Sequence, residues 1–133
     1  MLHAVPLTLD QSDARVIAAD AAEKQLYDFL GISYSVRRIL LSRHGITVRV
    51  TETGQGDPVV IVPGNTGDGF PFAPLVPHLP GRRIITINRP GGGLSEGMDH
   101  TTVDFHDFVY FGASSGLLRT FGADRACTPT ANL

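Results

Sequence analysis

Two short apolar runs that do not alternate, Val59-Val60-Ile61-Val62 and Arg83-Ile84-Ile85-Thr86-Ile87-Asn88, do most to limit what this chain can become. Each is bounded by turn residues, and an unalternating run of that length fits a strand buried on both faces, as in a parallel sheet. Each also runs into a glycine-rich loop, Val62–Phe70 after the first and Asn88–Gly97 after the second. Between them lies a short helical candidate, Phe72–Leu79, interrupted by Pro74 and Pro77. Strand, helix and strand in that order predict an α/β unit.

The segment before these runs reads differently. Val36–Ser42 and Ile46–Thr51 are strand-like and are separated by the turn candidate Arg43-His44-Gly45. In the second, Ile46, Val48 and Val50 alternate with Thr47, Arg49 and Thr51, which predicts one buried face and one wet face. The loop Gly54–Pro58 then breaks the chain. Further upstream, Ala14, Ile17, Ala18, Ala21, Ala22, Leu26, Phe29 and Leu30 recur at helical spacing, so an amphipathic helix is expected to bury that stripe. Asp10 or Ser12 is placed to cap its start and Gly31 to stop it. Packing on the rest of the domain is its expected task, with a lid or dimer role as the alternative.

A chain of 133 residues is one domain or part of one. With 42% hydrophobic and 18% charged residues it is too apolar for a disordered chain. Eleven Lys and Arg against 13 Asp and Glu exclude a strongly basic binder of nucleic acid or membrane surfaces. The one cysteine, Cys127, excludes an internal disulfide framework and a cysteine-rich zinc site. Neither a signal peptide nor a membrane span is visible, so a cytoplasmic location is expected.

In an open α/β sheet, ligands bind beyond the carboxyl ends of the strands, where the two glycine loops fall. Gly64, Gly67 and Gly69 let the backbone turn sharply and present N–H groups without a Cβ in the way. Two converging N–H groups can stabilise an oxyanion. Tight turns alone would also account for the glycines.

On these motifs the stretch from about Val36 to Arg125 resembles the N-terminal half of an α/β-hydrolase. Val60-Ile61-Val62-Pro63-Gly64-Asn65 is similar to that family's third strand and oxyanion loop, with Pro63 in place of the usual His. The resemblance implies that the Asn65 backbone N–H is an oxyanion-hole donor. Ile87-Asn88-Arg89-Pro90-Gly91-Gly92-Gly93-Leu94-Ser95 resembles the Asp-x-Pro-Gly-x-Gly-x-Ser signature, with Asn88 in place of the common Asp. Ser95 is expected to shape that loop through bonds to backbone groups rather than to attack a substrate. The fold so implied is a partial α/β-hydrolase-type, mostly parallel sheet with an N-terminal helix. Residues 1–34 would form a helical extension and residues 35–133 the N-terminal part of a hydrolase domain.

The family's nucleophile sits in a Gly-x-Ser-x-Gly elbow. Gly112-Ala113-Ser114-Ser115-Gly116 is one literal match. Only about 19 residues separate Ser114 from Ser95, a short span for a crossover helix and a return strand. The stretch Thr102–Phe121 also reads as the crossover helix itself. The family's order of Ser, acid and His cannot be completed, because His3, His44, His78, His100 and His106 all precede Ser114. Ser114 is therefore more readily a decoy in a helix, and the chain reads as truncated before or at the elbow. The function implied is hydrolysis of an ester, amide or related small substrate in the complete enzyme, with the triad incomplete here. The alternative is a non-catalytic, hydrolase-like binding or interaction module. A small-molecule substrate is the implied partner; no metal or organic cofactor is implied, and nucleotide binding by Gly91-Gly92-Gly93 lacks the required spacing.

Overall fold

The computed structural model describes residues 6–41, 45–63, 68–99 and 101. The chain forms β1 (Pro6–Leu7), α1 (Ala14–Phe29), β2 (Ser35–Leu41), β3 (Ile46–Thr53), β4 (Asp57–Ile61), a 3-10 helix (Phe70–His78), β5 (Arg82–Ile87) and β6 (Gly97–Met98). Four strands make one sheet in the order β2-β3-β5-β4, and β1 pairs with β6 in a separate antiparallel ladder.

The expected mostly parallel sheet is not found. The sheet is mixed: β2–β3 and β3–β5 are antiparallel, and only β4–β5 is parallel. Connection length is the physical reason. So few residues separate β2 from β3 that the two can pair only as antiparallel neighbours, whereas the long segment from β4 to β5 can return the chain to the same end. That segment carries a 3-10 helix rather than an α-helix. Pro74 and Pro77 remove backbone donors that regular α-helical bonding would need.

One sheet face is apolar, with Val48, Val50, Ile85 and Ile87 buried and Ile39 and Val60 packed against them. β4 is only half-buried, not enclosed on both faces, because it is the outer strand of the four. That position also suits Pro58, whose missing N–H is tolerated at an edge.

The opposite face was expected to be wet and is not. Arg49, Thr51 and Thr53 of β3 are buried there, in register with Asn88-proximal backbone, Thr86 and Ile84 of the β5 side. Tyr27 and Glu23 of α1 come down on this face. The helix has accordingly turned away from its expected stripe: Ile17 is 57% and Phe29 87% exposed, while Glu23 and Tyr27 are its buried residues. Tyr27 stacks on Tyr34 with ring centroids 4.2 Å apart, and its hydroxyl stands 3.5 Å from Thr51 Oγ1. Burial pushes the Tyr27 phenol pKa up. The N-cap is Asp13, not Asp10 or Ser12, and its carboxylate accepts from the Arg15 backbone N–H at 2.8 Å. Gly31 ends the helix at φ +68°, a left-handed geometry that favours glycine. Among the described residues, no helix is long and apolar enough to cross a membrane.

Candidate functional site

β4 and β5 run parallel, so their carboxyl ends lie side by side and their two loops start from neighbouring points. Asp68 begins the described return of the first loop. Its Oδ1 accepts from the Phe70 backbone N–H at 3.0 Å, an Asx turn that leads into the 3-10 helix. Gly69 then passes so close to β5 that a Cβ there would run into the Thr86 methyl group. Its backbone N–H donates to Asn88 Oδ1 at 3.1 Å and ties the first loop to the start of the second.

The second loop is stitched to β3. Asn88 N–H donates to the Arg49 carbonyl at 2.9 Å, and Glu96 N–H donates to the Thr47 carbonyl at 3.1 Å. Ser95 lies between these bonds. Its hydroxyl donates to the Asn88 carbonyl at 2.5 Å and accepts from the Arg49 N–H at 2.7 Å. Both partners are backbone groups, so Ser95 holds the loop in the manner expected of it. Gly93 has φ +52°, and a Cβ there would come within 2.7 Å of Asn88 Nδ2. Asn88 is 3% exposed, and that amide nitrogen has no hydrogen-bond partner among the described residues.

A cavity of about 360 Å³ opens between these loops and α1. That volume lies in the range of small-ligand pockets, about 300–1,000 Å³. Asp68 and Phe70 line it from the first loop, and Asn88, Gly93 and Leu94 from the second. Ala19, Ala22 and Glu23 of α1 complete the wall. The Glu23 carboxylate is committed elsewhere: Arg49 Nη1 reaches its two oxygens at 2.9 and 2.8 Å, and Arg49 Nη2 reaches Asp20 at 2.9 Å. Arg49 is 1% exposed. Burial alone would lower its pKa, but the hydrogen bonds and charges of Glu23 and Asp20 outweigh that and move it up.

Of the residues singled out in the sequence, Asn65 and Ser114 lie outside the described residues, as do His100, His106 and Cys127. Asn88 and Ser95 are brought to the cavity region, while His78 sits exposed at the end of the 3-10 helix. Glu23, Arg49 and Asp68 were not singled out. The available signal for the first two was the pair of acids Asp20 and Glu23, one turn apart on a helix, with an arginine inside an otherwise β-branched strand. For Asp68 it was an Asp two residues before a proline-started helical turn. Among the described residues, no group of three or more His, Cys, Asp or Glu is placed to hold a metal ion. Comparison of the sequence with protein-family models and with curated proteins returns no match.

Proposed function

We propose that this chain supplies the oxyanion side of a hydrolase site for an ester, amide or related small substrate, as the resemblance of its two loops to α/β-hydrolases implies. The carrying observation is that both motif-bearing loops border one small cavity, joined by the Gly69 N–H to Asn88 bond. Ser95 supports the reading as well, since both bonds of its hydroxyl are to backbone. In this reading the Asn65 N–H receives developing negative charge on the substrate oxygen. The attacking group is supplied from elsewhere and is not Ser114.

The test is a titration of the ¹⁵N-labelled chain with butyramide, a neutral analogue of an acyl substrate. Saturable shifts are expected at the Asn65 and Gly69 backbone N–H signals and at the Asn88 side-chain amide. Asn65→Pro removes the donor and should abolish them while leaving the strand signals dispersed. In a complete active site, loss of one such donor costs about 2.7–4 kcal/mol of transition-state stabilisation. Shifts confined to other parts of the chain would overturn the proposal. So would labelling by a fluorophosphonate probe that disappears in Ser114→Ala, because Ser114 would then be the nucleophile.

A further inference from the structure

We propose that the cavity selects uncharged acyl compounds and that Asp68 is the residue that turns anions away, an inference that rests on the cavity being the substrate site. The argument is an inventory of charge. No Lys, Arg or His among the described residues lines the cavity. Arg49, packed behind it, is spent: one guanidinium nitrogen serves both oxygens of Glu23 and another serves Asp20. Among the described residues, an entering carboxylate therefore finds no cation to meet it. It finds Asp68 instead, which is half-buried and which, among the described residues, accepts a hydrogen bond from the uncharged Phe70 N–H alone. Two like charges in a partly desolvated space repel far more strongly than in bulk water.

The remaining walls favour a neutral molecule. Ala19, Ala22, Phe70 and Leu94 offer small apolar surface to a short acyl chain. Among the described residues, the buried side-chain atom left without a partner is a donor, Asn88 Nδ2, which calls for an acceptor such as a carbonyl oxygen. A neutral ester or amide presents both the apolar chain and the acceptor; a free acid adds a charge that nothing here balances. The product acid of hydrolysis would be repelled by the same residue, which favours its departure.

The experiment compares butyramide with butyrate, two probes of nearly the same shape that differ in charge, by the same ¹⁵N titration at pH 7. Wild-type chain is expected to bind butyrate at least roughly tenfold more weakly than butyramide. Asp68→Asn keeps an Oδ1 acceptor for the Phe70 N–H, so the turn is preserved, and it should bring the two affinities close together. Asp68→Glu, which keeps the charge, should restore the preference. Equal binding of both probes by the wild-type chain, or an unchanged preference in Asp68→Asn, would show that Asp68 does not set the selectivity while leaving the site itself standing. Binding of neither probe would remove the site and the inference together.

Discussion

Arg49 shows how one residue can decide the packing of its neighbours. It stands in the central β3 strand, is almost fully enclosed, and is neutralised by Glu23, itself 5% exposed. Such a pair is costly to break from one side, because Arg49 would stay buried with only the exposed Asp20 carboxylate to balance it. Glu23→Ala is therefore expected to destabilise the protein by up to about 3 kcal/mol, read from urea unfolding, since Asp20 still faces the arginine. Replacing both partners with apolar residues, as in Glu23→Leu with Arg49→Met, should recover most of that loss. A Glu23→Ala change that left the urea midpoint in place would show that the pair contributes nothing. The alternation of Ile46, Val48 and Val50 with Thr47, Arg49 and Thr51 was legible, and so was the buried apolar face. The fate of the polar face was not, because period 2 reports that two faces differ and not what lands on the second one. Glycine positions carried more information. Gly69 and Gly93 stand where Thr86 and Asn88 leave no room for a Cβ, although the loop motif alone does not say what they approach.

At the scale of elements, α1 is secured by polar contacts and one aromatic stack rather than by an apolar seam. The stripe read from Ala14 to Leu30 was a true periodicity assigned to the wrong partner. Half of its members are alanines, whose burial contributes little, and the ion pair and Tyr27 outweigh them in setting the helix's rotation. Its start is sensitive to acid. Hydrogen bonds from the Arg15 side chain and then its backbone N–H lower the Asp13 pKa from 3.8 to about 2. A carboxyl whose folded pKa is depressed adds stability that is fully present above the unfolded value. That stability is lost as pH falls through the folded one. The first turn of α1 should thus fray as pH drops from about 4 towards 2. Carbon chemical shifts of residues 14–17 would report this, and in Asp13→Asn the dependence should flatten. The strands were the most legible elements, with β2, β3 and β5 close to their expected bounds. The 3-10 helix was half legible: its prolines announced an interruption, and their missing donors explain why the turns tightened.

For the molecule as a whole, the meeting of the two glycine loops depends on strand direction. The strand–helix–strand pattern in the sequence located the parallel pair β4–β5 and hence the end of the sheet where the cavity lies. It did not extend to the β2–β3 and β3–β5 ladders, which are antiparallel and make the sheet mixed. Ser95 joins the parts, since its hydroxyl links the β3 backbone to the residue where β5 ends. Ser95→Ala would orphan a buried N–H and a buried carbonyl, at an expected cost of about 1–3 kcal/mol in denaturant unfolding, with faster amide exchange at Arg49. An unaltered exchange rate there would argue against the bridge. The β1–β6 ladder has a different kind of consequence. Leu7 is paired with Gly97, so this ladder joins residues far apart in sequence, whereas α1 finds its partner Arg49 only a short way along the chain. Closing so long a loop is costly in chain entropy, which makes the seating of β1 on β6 a slow step in folding.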